Sequence, residues 1–234
     1  MKTCTGDDGD GSTRDAPGLI VSVVLFRLQS GHLQVLVAHD GFGSLPTDAP
    51  RADESLDIAA HRIVNLQPGA SEDYMEQLYT FSPANAPRRN VVVSYLALQQ
   101  PAELGQIDEY GNWHQVSDVA ISNAADRSVL DYALVRLRAK LGYTNIAFNL
   151  VPQKFTIPEL QRAYEGILLH HLDKRNFRRR ILASGILAQT DEKRRDGNHR
   201  PAALYRFASQ ADHANYLTPT NIDTAPVADQ ETSR

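Results

Sequence analysis

Apolar residues recur along this chain with two periods. The runs GLIVSVVLFR (18–27) and LQVLVAH (33–39) are rich in β-branched and aliphatic residues, and a short polar stretch containing Gly31 separates them. That pattern predicts a hairpin. In DESLDIAAHRIVN (53–65) the apolar residues Leu56, Ala59, Ala60 and Ile63 fall at helical spacing, and Pro68-Gly69 marks a stop. YMEQLYTF (74–81) and NVVVSYLAL (90–98) read as further strands, with Pro83 and Pro87 breaking the segment between them. SVLDYALVRLRAKLG (128–142) places Leu130, Leu134, Leu137 and Leu141 on one side of a helix, with Gly142 as its stop. Strands, a helix, strands and a closing helix predict an α+β domain over 18–142, long enough to bury its own core.

A connector, 143–153, follows; its apolar content predicts that the two halves of the chain pack together rather than swing on a tether. A second unit over 154–208 carries the clearest local signals. Thr156 and Glu159 have capping-box spacing, Pro158 sits where a first helical turn tolerates it, and Phe155 and Leu160 stand at the positions of a hydrophobic staple. Leu160, Ala163, Tyr164 and Ile167 form an apolar stripe. A turn at His170, His171 and Leu172 leads to Asp173, a good N-cap for a second helix that Ser184-Gly185 ends. Helix, tight turn and helix make the helix-turn-helix pattern. Two short strands, ILAQT and ALYRF, flank DEKRRDGNHR, whose Asp196-Gly197 is a turn signal, so a basic hairpin should follow as a wing. The adjacent histidines of the turn have no Cys or His partners at ligand spacing and read as turn residues. Segments 1–17 and 209–234 are polar and predicted to be disordered.

Composition narrows the possibilities. The 234 residues are 42% hydrophobic and 22% charged, with no apolar run approaching a membrane span. The start of the chain has no apolar leader core, and the single cysteine, Cys4, excludes a disulfide framework, so the expected compartment is the cytoplasm. The net charge of −4 hides an asymmetry: residues 154–207 carry +6 and the remainder −10. A basic module joined to an acidic one points to a polyanion as the partner of the basic part alone.

On the second helix of the basic module, Phe177 and Ile181 should face the core. The opposite side then carries Arg175, Asn176 and Arg179, with Arg180 at its flank. Arginine can bond guanine in pairs and asparagine adenine, so these residue types suit base reading in a major groove. Leu182 lies beside this face and suits a thymine methyl or a contact with the other domain. Lys174 and Arg178 on the same helix, Thr156 at the start of the preceding one, and Lys193, Arg194, Arg195, His199 and Arg200 in the wing complete the candidate double-stranded DNA surface. A DNA-binding helix-turn-helix protein usually works as a two-fold homodimer on a palindrome.

The C-terminal run resembles the winged-helix part of NrtR-type regulators, Nudix-related repressors of NAD-metabolism and sugar-utilisation genes. The resemblance rests on FTIPELQRAYEGIL, LDKRNFRRRIL, Gly185 and RPAALYRF, and extends back through SVLDYALVRLRAKLGYTNIAFNLVP and YMEQLYTF to cover about 18–208. It implies a Nudix-like α/β/α sandwich followed by a winged helix-turn-helix domain. Active Nudix hydrolases carry G-x5-E-x7-R-E-U-x-E-E-x-G-U, with U apolar, whose glutamates hold a divalent cation. On this chain the first Gly falls on Asp48, the lone Glu on Glu54, the Arg on Arg62 and the late Gly on Gly69, while the clustered glutamates become Ile63, Leu66 and Gln67. Apolar side chains supply no oxygen ligands, so the resemblance carries the frame without the metal chemistry: no cofactor, no metal and no catalysis.

The resemblance further implies an ADP-ribose-like, nucleotide or sugar-phosphate effector in the degenerate cleft. Arg88 and Arg89 are candidate anion contacts, Tyr79 and Phe81 a candidate stacking surface, and Arg62 either a further contact or a helix-surface charge without its usual glutamate partners. Two other function classes stay open. One is a Nudix-type pyrophosphohydrolase with relocated ligands, drawn from Glu54, Glu72, Asp73 and Glu76. The other is a winged-helix module that binds protein.

Overall fold

The computed structural model describes residues 17–38, 43–82, 90–101, 112–195 and 201–208. Cys4, Arg88, Arg89, Asp196-Gly197, His199, Arg200 and the tail 209–234 therefore lie outside the described residues, as does the N-terminal segment up to residue 16.

The first strand, β1 (Gly18–Gln29), is the axis of the N-terminal half. It pairs antiparallel with β2 (His32–Leu36) along its second part and with the short β3 (Thr47–Asp48) near its start. Along nearly its full length it runs parallel to β5 (Asn90–Gln99). β4 (Tyr74–Phe81) borders β5, and β6 (Trp113–Gln115) borders β2, so the sheet order is β4-β5-β1-β2-β6 with β3 beside β1. The near-continuous apolar run of β1 follows from this position: both of its faces are covered. Val21, Val23 and Leu25 pack under α1 (Leu56–Asn65) against Ala59, Ala60, Ile63 and Val64. Val24 and Phe26 point to the other face, toward α2 (Ala124–Leu141). The α+β sandwich expected of the N-terminal half is thus present among the described residues.

The winged-helix half comprises α3 (Ile157–Leu168), α4 (Lys174–Ala183), β7 (Leu187–Arg194) and β8 (Ala202–Phe207). Phe155 and Tyr205 exchange backbone hydrogen bonds at 3.0 and 2.8 Å, so the start of the module is sewn to the wing. The connector is no loose tether. It folds as a 3₁₀ helix, Ile146–Leu150, and its Phe148 ring lies 5.5 Å from Phe155 and 4.8 Å from Phe207.

The two halves share one core. A single buried cluster runs from Val24, Phe26 and Leu33 of the sheet through Leu137 and Leu141 of α2 to Leu160, Tyr164 and Ile167 of α3 and Phe177 and Ile181 of α4. Gly166 marks the closest approach. A Cβ there would stand 2.8 Å from Leu28 Cδ1 and 3.3 Å from the Gly31 carbonyl oxygen, so a larger residue would make the Leu28 side chain and the β1–β2 hairpin give way. Polar links brace the contact: Arg138 Nε donates to the Ile167 carbonyl at 3.0 Å, and Gln100 Nε2 donates to the Val151 carbonyl at 2.6 Å.

Several boundaries differ from the sequence pattern. β3, β6 and the 3₁₀ helix carry no strong periodic signal and are made by tertiary pairing. α2 begins at Ala124 rather than residue 128, because Asn123 caps it by accepting from Ala125 N at 2.9 Å. β7 runs on through Asp191-Glu192-Lys193-Arg194, which read as part of a turn; its register against β8 shifts between Gln189 and Lys193, so an irregularity absorbs the polar residues. Among the described residues no helix is long and apolar enough to cross a membrane.

Gly166→Val should lower stability by about 1–3 kcal/mol through overpacking against Leu28 and the hairpin, despite valine's better helix propensity. A urea melt of the full chain checks this; an unchanged midpoint would show that the two halves are not held by this contact.

Candidate nucleic-acid interface and sensor cleft

The helix-turn-helix is built by local chemistry. Glu159 accepts from Thr156 N at 2.8 Å, closing the capping box at the start of α3. At its other end Leu169 adopts φ 60°, the left-handed conformation that lets the chain reverse, and is exposed. Glu165 then receives Leu172 N at 2.9 Å and Gln161 Nε2 at 2.8 Å, which holds the turn. Asp173 caps α4 by accepting from Asn176 N at 2.7 Å. The Tyr164 and Phe177 rings meet at 5.3 Å, locking the angle between the two helices.

With Phe177 and Ile181 fully buried, the remaining residues of α4 sort by angle at about 100° each. Arg175 and Arg179 are exposed on the face opposite the core, with Leu182 beside them, 42% exposed. Asn176 and Arg180 lie on one flank, where the Asn176 carboxamide oxygen accepts from Arg180 Nε at 3.0 Å and from Arg179 at 3.1 Å. Lys174 and Arg178 lie on the other flank and line a groove between the two halves of the protein. The six polar candidates on α4 are thus three distinct pairs rather than one surface.

Two of the DNA candidates require correction. Thr156 is 7% exposed and spent on the capping box, so it offers nothing to a partner. Arg194 is turned inward: it donates to Glu159 at 3.0 Å and to the Lys154 carbonyl at 2.9 Å, stapling β7 to the start of α3. Lys193 and Arg195 are exposed at the end of β7.

On the other side of the molecule, α1 carries the degenerate Nudix box. Ile63 is 2% exposed within the core, whereas Leu66 is 62% exposed. Arg62 is no isolated surface charge. All three of its guanidinium nitrogens are engaged: Nε and Nη2 with Glu54, the latter at 2.6 Å, Nη1 with Asp48 at 2.6 Å, and Nη2 also with the Ala49 carbonyl at 3.0 Å. Arg62 therefore braces the loop before α1 and is not free to meet an anionic effector. Its hydrogen bonds hold the Glu54 carboxyl down at about 2, with help from the Arg51 backbone N–H, and lower that of Asp48 as well. The four acids considered as relocated ligands stand apart, each with its own partner. Glu54 has Arg62, Glu72 has His61 at 2.6 Å, Asp73 receives Gln100 N at 2.7 Å, and Glu76 pairs with Lys140 and Arg136. Among the described residues no three His, Cys, Asp or Glu side chains gather as a metal site.

Tyr79 and Phe81 stand on the edge strand β4, after a register irregularity between Gln77 and Tyr79. Their rings are 5.0 Å apart, and a third ring joins them: Tyr132 of α2, 5.3 Å from Tyr79 and 6.2 Å from Phe81. Tyr79 is 52% and Tyr132 41% exposed, so the trio presents an aromatic surface. Sequence reasoning missed Tyr132 because it interrupts the polar side of an otherwise ordinary amphipathic helix.

Comparison with known proteins agrees with this geometry. A family model described as the NrtR DNA-binding winged helix domain matches residues 147–207. The ADPR responsive transcriptional repressor NtrR of Acinetobacter baylyi is 33% identical over 214 residues, covering 83% of this chain and 84% of that protein. The chain belongs to the NrtR family. A crystal structure of Shewanella oneidensis NrtR complexed with a 27mer DNA superposes with a TM-score of 0.68 at 27% identity, covering 86% of this chain and 97% of that one. A MutT/nudix family protein from Enterococcus faecalis, 19% identical with a TM-score of 0.60 over 83% of this chain and 87% of that one, shares the fold. The NrtR match begins inside the 3₁₀ connector, whose Phe148 ring packs on Phe155 and Phe207 while Gln100 of the Nudix-like half donates to its carbonyl.

In this NrtR-family chain the Arg62–Glu54 pair should show in an acid titration. A carboxylate whose folded pKa is lowered adds stability above its unfolded value and loses it as pH falls through the folded value. The contribution of Glu54 is complete above about 4.5 and disappears between there and about 2. Following the Glu54 carboxyl carbon by NMR should give a midpoint near 2, moving up toward the ordinary value in Arg62→Ala; an unmoved midpoint would refute the pairing.

Proposed function

We propose that this protein is a homodimeric transcriptional repressor. In this reading α4 enters the major groove of a palindromic operator, and the Nudix-like domain answers to ADP-ribose or a closely related nucleotide. The observation that carries the reading is the outward face of α4. Arg175 and Arg179 stand exposed opposite the buried Phe177 and Ile181, on a winged helix whose family is DNA-binding. Exposed Lys193 and Arg195 at the wing are placed to grip phosphates. The Acinetobacter relative is by name an ADPR-responsive repressor, and the Shewanella protein was crystallised on DNA.

The catalytic part of this proposal is a loss. Ile63 and Leu66 stand where a hydrolase needs carboxylates, and Ile63 is buried besides. The effector would instead be held by recognition alone, with the Tyr79–Phe81–Tyr132 surface as a stacking platform and Arg88 and Arg89 as its candidate anion contacts. A ligand can act on DNA affinity only by binding one arrangement of the protein better than another. The shared core between the halves gives such a preference a rigid route to α4.

The test is duplex DNA carrying the promoter region beside this gene, titrated by fluorescence anisotropy at several salt concentrations. Arg179→Ala should cost about 1–3 kcal/mol on the specific site and relax base preference, whereas Arg195→Ala should weaken all sequences alike and flatten the salt dependence. Equal losses on specific and random DNA for both variants would overturn the division of labour. Adding ADP-ribose should release the operator, and incubation with ADP-ribose and Mg²⁺ should liberate no phosphate-bearing product at enzymatic rates; turnover would return the chain to the hydrolases.

A further inference from the structure

The groove beside α4 is separate from the degenerate Nudix cleft. It has a volume of about 980 Å³ and opens where the β1–β2 hairpin and the turn after β6 face α3, the α3–α4 turn and α4. That is at the upper end of the range for small-molecule sites. Its lining joins apolar side chains, among them the exposed Leu169 and Pro158, to three cationic ones, Arg162, Lys174 and Arg178. The one carboxylate of the lining, Glu165, is spent on the turn, receiving Gln161 and Leu172 N. Two positive charges are left over in a partly apolar recess. Arg162 is held in place from behind: the stem of its side chain lies against Gly31 of the hairpin, where an added Cβ would meet its Cδ at 3.4 Å.

We infer that this interdomain groove is a second ligand site, taking an organic anion of about nucleoside-diphosphate size, and that its occupancy draws Lys174 and Arg178 away from DNA. The charges suit a diphosphate, since ammonium and guanidinium groups bond phosphate oxygens as charge-assisted donors. The apolar wall suits a ring. An uncharged occupant would leave the cationic excess unanswered. The geometry also makes the coupling direct. Lys174 and Arg178 belong to the same helix as Arg175 and Arg179 but lie on its groove-side flank, so an anion seated there competes with DNA phosphates for the same two side chains. By linkage, DNA must weaken the anion to the same degree.

The link to DNA rests on the reading of α4 proposed above; occupancy of the groove does not. The full chain, without DNA, is titrated with ADP by calorimetry, and the bound state is mapped by hydrogen exchange. Protection should fall on residues 30–33 and 157–178. Arg162→Glu should weaken ADP about tenfold or more. Ser117→Trp, at an exposed position on the rim, should block the groove without touching the core. A thermal melt of each variant confirms its fold, and either one alone decides the matter. No binding at millimolar ADP, protection confined to β4, α1 and α2, or full affinity in either folded variant would overturn the site. Saturating ADP should then weaken operator binding several-fold in the wild type and leave it unchanged in Ser117→Trp. ADP bound in the groove with undiminished operator affinity would overturn the link to DNA. In that case the separate Arg179→Ala measurement shows whether the reading of α4 itself stands.

Discussion

The structure depends on one close contact, the seating of α3 on the β1–β2 hairpin through Gly166. Because no side chain intervenes, the apolar stripe of α3 reaches the sheet and merges two cores into one. A DNA-binding module attached by a flexible linker would leave its sensor free to change without consequence. Here the sensor's sheet and the helix that supports α4 are the same packed body. Close-packed interiors have little slack, so the Nudix-like side and α4 are parts of one packed body.

The Nudix frame has been kept for its geometry. Arg62 and Glu54 survive at their box positions as a brace, with Asp48, where the box has glycine, recruited into the same cluster. The carboxylates that would hold a cation are gone, and the first of their positions has been absorbed into the core as Ile63. The opposite face of the sheet carries an aromatic surface made by the edge strand β4 and α2.

The winged helix shows how a run of basic residues is divided by a helix. Lys174 to Arg180 looks like one patch in the sequence, yet folding sends two side chains outward, ties Asn176 and Arg180 together on one flank, and turns Lys174 and Arg178 toward the groove. Arg194 leaves the basic wing to serve as an internal staple. Counting charges overestimates a DNA surface for this reason: some cations are needed to hold the module in shape.

The local signals were legible in the sequence. Helical periodicity, the Thr156–Glu159 box, the Asp173 cap and the buried pair Phe177 and Ile181 all act within a few residues of one another, and so determined α1, α3 and α4 and the orientation of the reading face. The apolar and neutral residues at the glutamate positions of the box were likewise a matter of residue identity. Tertiary structure alone decided what depends on distant partners. β3 and β6 exist because β1 and β2 offer them edges. Arg62 is engaged because the chain folds Asp48 back toward α1. The groove between the halves appears only once both are docked, since its wall from α3, the turn and α4 faces a hairpin and a turn that lie far away in sequence.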